Sequence, residues 1–126
     1  TCFIINNSDS ESLKSQNFLI DTGGGIYILH QIKHAGFNFQ EINNVFVTHS
    51  HIDHFLGLIW VIRIAAQLMN KNKFEGDLNI YSHDEVINLI YDFAKKLLLP
   101  YQFEFVGKRI NLIILKIILL YLSVFI

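Results

Sequence analysis

The residue types best suited to chemistry are gathered in one short segment, where four side chains that bind metal ions fall within six positions: His49, His51, Asp53 and His54. Alternate residues of an extended segment point the same way, so His49 and His51 can converge on one ion. A turn after Ile52 would aim Asp53 and His54 at a second ion. The spacing predicts a two-metal site on one loop; the alternative is a solvated, histidine-rich loop.

The donor atoms of this segment also indicate the metal and the reaction. Imidazole nitrogens with one carboxylate suit zinc. Two ions about 3.5 to 4 Å apart would lower the pKa of a water molecule towards about 7 and hold both oxygens of a displacement reaction. Asp53 then has two roles open to it, as a ligand of the second ion or as the catalytic group that orients the water and accepts its proton. We expect metal-assisted hydrolysis.

Three further histidines lie outside the cluster. His83 falls at the expected start of a helix, which favours a structural role over that of a third metal ligand. His30 and His34 have the i, i+4 spacing by which two helical histidines can share a metal, but no Glu lies between them as it does in the HExxH motif. We expect His30 and His34 to be surface residues.

Short apolar runs predict the strands that position the cluster, at residues 2–5, 18–20, 45–47, 78–81 and 103–106. The first two runs are separated by a polar stretch, which is typical of a hairpin. Residues 21–25, Asp-Thr-Gly-Gly-Gly, form a turn after the second run. The metal-binding segment directly follows the strand at 45–47, so we expect it to be a loop at the C-terminal end of that strand.

Apolar residues at helical spacing predict helices at 26–35 and 55–70. Ser82 and Glu85 have the spacing of a capping box, so a third helix should begin there and end before Pro100. Strands that alternate with helices after an initial hairpin predict an α/β (α+β) fold, with a mixed sheet covered by helices on one face.

Two motifs resemble those of a known family. Residues 48–54, Thr-His-Ser-His-Ile-Asp-His, with Gly57 three positions on, look like the HxHxDH signature of the metallo-β-lactamase superfamily. Residues 18–23 upstream resemble the strand and Asp-Thr-Gly turn of that family, and the strand at 78–81 with its capped helix resembles the family's next unit. The resemblance covers residues 1–107 and does not extend to the apolar tail at 108–126.

The resemblance implies an αββα sandwich, truncated here to about its first half. It implies that His49 and His51 bind the first zinc ion and that Asp53 and His54 bind the second. Asp21 would lie behind the metal loop, although an Asp before Gly is as often simply a turn former. The family's third first-site histidine, its bridging aspartate and its last histidine come later than this sequence reaches.

Composition sets limits on partners and setting. The formal net charge is -1, which leaves no basic footprint, so we expect a small-molecule substrate and no nucleic acid. Cys2 is the single cysteine, and no leader pattern opens the chain, which favours a cytoplasmic setting. The chain begins at Thr1 in an apolar strand, so a preceding segment is expected.

The function predicted from these features is a zinc hydrolase acting on an ester, thioester, lactam or phosphodiester. One alternative is a truncated, non-catalytic fragment with a half-built site, which would self-associate through an unpaired sheet face formed by Val45, Val47, Ile80 and Phe103. The other is a membrane-tethered module that uses residues 110–126. A membrane span is disfavoured because Lys116 near its middle would cost about 2.5 to 3.5 kcal/mol.

Overall fold

The structure, a computed structural model, describes residues 2–7 and 16–116. Its strands are β1 (Phe3–Asn7), β2 (Gln16–Ile20), β3 (Ile42–Phe46), β4 (Leu78–Ser82) and β5 (Ile110–Ile114). Its helices are α1 (Tyr27–His34), α2 (Ile52–Phe55), α3 (Leu58–Asn70), α4 (Asp84–Leu97) and α5 (Pro100–Phe103), and a 3-10 turn at Phe39–Glu41 precedes β3.

The strands form one mixed sheet in the order β1-β2-β3-β4-β5. β1 and β2 are antiparallel, with Phe3 opposite Ile20, as the predicted hairpin requires. The other neighbours are parallel, and parallel strands need long crossovers, which the helices supply. The predicted mixed sheet with helices is confirmed. The C-terminal ends of β2, β3 and β4 therefore meet at one edge.

One face of the sheet packs against the helices. Leu19, Val45 and Ile80 lie opposite one another on β2, β3 and β4, and all three are fully buried. Ile62 of α3 and Ile90 of α4 are buried in the same core. Burying a side chain of this size contributes about 1.5 to 3 kcal/mol relative to leaving it exposed. This core supports the strand ends that carry the metal-binding segment.

The opposite face of the sheet carries the side chains that alternate with these. Phe18, Ile20, Phe46 and Tyr81 line a shallow apolar surface with Ile5, and Phe18 and Tyr81 lie with ring centroids 6.2 Å apart. The described helices all pack on the other face. The sequence offered no basis for choosing between the faces, because β3 is apolar on both.

The predicted composition of the unpaired face is therefore wrong. Val45, Val47 and Ile80 are fully buried beneath the helices, and Phe103 belongs to α5 instead of a strand. Successive side chains of a strand point to opposite faces of the sheet. If the face that the helices cover is assigned wrongly, every residue predicted to be on the unpaired face lies on the helix-covered face instead.

The predicted helix at 55–70 corresponds to α3, while Phe55 is the last residue of α2 and a turn at residues 56–57 separates the two helices. The stretch Ile52–Asn70 is long and apolar enough to span a membrane by length and composition. Val61, Ile62 and Ala65 of this stretch are fully buried inside the protein, however, as in the core helix of a folded domain. The apolarity of this stretch is explained by burial against the sheet.

The C-terminal region differs most from the prediction. Residues 103–106 are not a strand: α5 begins at Pro100, whose fixed φ suits the first turn of a helix, and buried Gln102 accepts a hydrogen bond from Leu99 N at 3.0 Å. The fifth strand is β5, so the sheet extends beyond the predicted boundary at residue 107. The tether hypothesis rests on residues 110–126, of which Ile110–Ile114 form β5 and residues 117–126 lie outside the described residues.

The predicted capping box is also absent from α4. The N-cap residue is His83, and Ser82 is instead the last residue of β4, fully buried. The Ser82 hydroxyl donates to Val47 O at 2.7 Å, and Val47 N donates to Tyr81 O at 3.0 Å. Ser82 therefore ties the end of β4 to the chain that enters the metal-binding segment.

Candidate metal centre

The metal-binding segment lies where the sequence predicts, at the C-terminal end of β3. The chain leaves β3 at Phe46 and enters α2 at Ile52, with His51 in an extended conformation at the helix N-cap. His51 O accepts from both His54 N and Phe55 N at 2.9 Å, which closes the turn. Asp53 and His54 therefore project from the first turn of a short helix, while His49 precedes it.

The imidazoles of the segment form a compact group. The ring centroids of His49 and His51 are 4.5 Å apart, with the rings nearly perpendicular, and those of His49 and His54 are 4.3 Å apart. Asp53 Oδ2 lies 3.2 Å from His54 Nε2, and the Asp53 side chain is 65% exposed. The predicted convergence of His49 and His51 is confirmed, and Asp53 and His54 join them.

The donor set suits zinc, because it combines three imidazoles with a carboxylate and has no soft ligand. Within residues 2–7 and 16–116, however, no three His, Cys, Asp or Glu side chains are arranged to hold one ion. The assignment of His49, His51, Asp53 and His54 as metal ligands stays a prediction.

Asp21 lies behind this group and anchors it. Its Oδ2 lies 2.9 Å from His54 Nδ1, and its Oδ1 accepts from Thr48 N at 2.7 Å. The carboxylate is buried, with 4% of the residue exposed. Its backbone φ is 59°, a left-handed conformation that Asp tolerates better than most residues. Asp21 is therefore both a turn residue and a partner of the metal-binding segment, so the two alternatives hold together.

Thr48 is a residue of this hydrogen-bonded group that the sequence did not single out. Its hydroxyl lies 3.0 and 2.9 Å from the two carboxylate oxygens of Asp21, and 2.6 Å from His49 Nδ1. A hydroxyl residue between a buried strand and a candidate ligand was the available signal. That signal does not reveal the contact, because Asp21 is 27 positions away in the sequence.

The turn after β2 packs directly against the junction of α2 and α3. Thr22 donates to His54 O through both its backbone N, at 2.8 Å, and its hydroxyl, at 2.9 Å. Gly57 N donates to Gly23 O at 3.1 Å. A Cβ at position 57 would lie 1.9 Å from Thr22 O, so only glycine fits there. These contacts hold α2, and with it Asp53 and His54, against the sheet.

The environment of His49 affects its protonation. Burial is the largest cause that lowers its pKa from the ordinary value, followed by the neighbouring imidazoles of His54 and His51. Asp21 and Asp53 raise the pKa but do not outweigh these effects. His49 is thereby favoured in its neutral form, which is the form that binds a metal.

The histidines outside the cluster have other surroundings. His30 and His34 are exposed on α1, as predicted, and the His30 ring lies 5.8 Å from that of Tyr27. His83 lies at the N-cap of α4, with its Nδ1 3.9 Å from Asp84 Oδ1. The expected structural position of His83 at a helix start is therefore correct.

Comparison with known proteins identifies the family. The family described as Anti-Pycsar protein Apyc1 matches residues 5–97. Ribonuclease Z of Thermoplasma volcanium is 40% identical over 72 residues, which cover 57% of this chain and 22% of that protein. Ribonuclease Z of Archaeoglobus fulgidus is 35% identical over 78 residues, or 61% of this chain and 24% of that protein. The chain spans about a quarter of the length of these relatives.

The fold is similar to that of human tRNase Z, short form, with a TM-score of 0.53 at 21% identity over 64% of this chain and 28% of that one. The expectation that nucleic acid is not a partner is wrong, because the curated relatives are named as ribonucleases. That expectation rested on net charge, which averages over a chain that spans only a fraction of those relatives. With its HxHxDH motif and mixed sheet, the chain belongs to the Anti-Pycsar protein Apyc1 family and to the metallo-β-lactamase superfamily, of whose fold it carries an N-terminal part.

Proposed function

We propose that the protein to which this chain belongs is a zinc-dependent hydrolase that cleaves phosphodiester bonds in RNA. The observation that carries the proposal is the grouping of three imidazoles and one exposed carboxylate at the C-terminal end of β3. That group is backed by a buried carboxylate, Asp21, that contacts one of the imidazoles.

The chain's own residues would bind the zinc ions and orient a water molecule. His49 and His51 form one pair of donors, and Asp53 and His54 form the other. Two zinc ions, when bound, supply Lewis acidity that lowers the pKa of a water molecule and offsets phosphate charge. Asp53 is exposed to solvent, so its carboxylate can orient a water molecule and accept a proton from it.

Among the substrate classes that the sequence left open, the relatives favour a phosphodiester over an ester, a thioester or a lactam. Two proteins named ribonuclease Z align with more than half of this chain. RNA would bind mainly through its phosphates, which need basic side chains. The chain's own charge of -1 does not oppose this, because the relatives are about four times longer than the matched region.

The test compares substrates on the complete gene product loaded with zinc. A short RNA, the DNA of the same sequence and a simple lactone are incubated with the wild type, with Asp53→Ala and with Asp92→Ala. Asp92 is exposed on α4 and serves as the matched control. We expect RNA cleavage that Asp53→Ala reduces by on the order of 100-fold and Asp92→Ala leaves unchanged. Lactone turnover without RNA cleavage, or an Asp53→Ala protein of wild-type rate, would contradict the proposal.

A second candidate is favoured by the absence of three converging donors among the described residues. A catalytic zinc ion needs three protein ligands and an open position, and the described residues do not supply three to one ion. The 126-residue chain alone would then bind zinc without turnover. The same RNA assay on this chain separates the two candidates, since turnover by the chain alone would exclude the second.

A further inference from the structure

We propose that Thr48 is a positioning residue, whose hydroxyl holds His49 in the tautomer that leaves Nε2 free to bind a metal ion. The value of this to catalysis rests on the proposed zinc function. The hydrogen bonds themselves do not, since they are present among the protein's own side chains.

The Thr48 hydroxyl has more partners than hydrogens. The oxygen carries one hydrogen but has three partners, which are the two carboxylate oxygens of Asp21 and the Nδ1 of His49. An ionised carboxylate has no hydrogen to donate, so at 2.9 to 3.0 Å the hydroxyl must donate to Asp21. The other arrangement would place a hydroxyl lone pair against a buried negative charge.

With its hydrogen directed to Asp21, the Thr48 oxygen can only accept from His49. The 2.6 Å contact then requires a hydrogen on His49 Nδ1. A neutral imidazole carries one ring hydrogen, so Nε2 is unprotonated. Through the Thr48 hydroxyl, Asp21 thus determines the tautomer of His49 without a hydrogen bond of its own to His49 in this network.

Asp21 reaches a second histidine by a separate route. Its Oδ2 lies 2.9 Å from His54 Nδ1, so it holds a hydrogen on that nitrogen directly. His49 and His54 belong to different predicted metal pairs. One buried carboxylate therefore orients one ligand of each pair, and the Thr48 hydroxyl serves only the pair that contains His49.

Thr48 can be changed without disturbing the rest of this network. Its backbone N donates to Asp21 Oδ1 at 2.7 Å, and this bond survives any substitution of the side chain other than proline. Thr48→Val keeps the branched shape and removes the hydroxyl. Thr48→Ser keeps the hydroxyl and removes only a methyl group, so it is the matched control.

The first measurement is the tautomeric state of His49 by long-range nitrogen–proton correlation NMR on the metal-free chain, at a pH well above the usual imidazole pKa of about 6.5. We expect the Nδ1–H tautomer of His49 in the wild type and in Thr48→Ser, and both tautomers in Thr48→Val. His54 should keep its Nδ1 hydrogen in all three. An Nε2–H tautomer of His49 in the wild type would overturn the proposal without reference to any variant.

The second measurement is zinc affinity by competition with a chelator. Loss of a hydrogen bond that orients a metal-binding histidine typically weakens binding by about 10- to 100-fold, so we expect a loss of about that size in Thr48→Val and rescue in Thr48→Ser. Wild-type affinity together with an unchanged tautomer in Thr48→Val would overturn the proposal. Expected tautomers in a wild-type protein that binds no zinc would instead refute the proposed function and leave the positioning role standing.

Discussion

Gly57 gives the sharpest test of how the metal-binding segment is held in place. A methyl group at this position would lie 1.9 Å from Thr22 O and 2.9 Å from Thr22 C, both of them backbone atoms. Backbone cannot rotate away as a flexible side chain can, so the turn after β2 would have to move by more than about 1 Å. We therefore expect Gly57→Ala to separate this turn from the α2–α3 junction.

The magnitude follows from what the separation breaks. Overpacking of a well-packed site costs about 1 to 3 kcal/mol. The hydrogen bonds from Thr22 N to His54 O and from Gly57 N to Gly23 O cross the same contact, and losing each costs about 1 kcal/mol. The free energy of unfolding should fall by about 3 to 5 kcal/mol, against a typical total of about 5 to 15 kcal/mol.

Urea unfolding followed by circular dichroism measures this change on the purified chain. Gly25→Ala is the matched control, because nothing lies within 4 Å of a Cβ there and its φ lies outside the left-handed region. We expect the control to stay within about 0.5 kcal/mol of the wild type. If Gly57→Ala also stayed within about 0.5 kcal/mol, the close packing of the two segments would be refuted.

Three further predictions concern the metal-binding group. Asp21→Asn should weaken zinc binding by about 10-fold or more, because the amide lacks the charge that orients both His54 and the Thr48 hydroxyl; chelator competition measures this. Because folding lowers the pKa of His49, the unfolded chain takes up its proton first as pH falls below about 6.5. The stability that His49 contributes should therefore be complete above that pH and decline below it. An NMR titration of His49 in the folded chain with a midpoint at or above the pKa of the unfolded chain would contradict the prediction. Changing His49 and His51 together to Ala should abolish zinc binding by this chain, as measured by metal analysis after dialysis, and a retained equimolar zinc ion would show that other residues hold it.

The fold class was predictable because the apolar pattern is strong in the segments that form the central strands and the helices. Residues 18–20, 45–47 and 78–81 alternate with helical periods, and those segments became β2, β3 and β4 of a parallel arrangement. The pattern failed at residues 103–106, because Pro100 and the buried Gln102 stabilise a short helix that ends at Phe103 and is followed by a turn. Local propensity is a weak guide for runs of four residues.

The orientation of the sheet was not predictable from the same pattern. Residues 45–47 place Val45 and Val47 on one side and Phe46 on the other, so hydrophobicity does not say which face of the sheet the helices cover. The structure resolves this through register, since Leu19, Val45 and Ile80 align across three strands beneath α3 and α4. Register depends on the pairing of distant segments, which no local pattern encodes.

The sequence by itself determined the chemical character of the site, because the spacing of His49, His51, Asp53 and His54 brings the donors onto one short loop whatever the rest of the fold does. The tertiary structure alone decided what holds them. Asp21 meets His54 across 33 positions and Thr48 across 27, and these contacts exist only because β2 and β3 are parallel neighbours whose C-terminal ends coincide. A hydrogen bond requires that its atoms lie about 3 Å apart in space, whatever their separation along the chain. The hydrogen-bond partners of a predicted metal ligand are therefore known only from the assembled sheet.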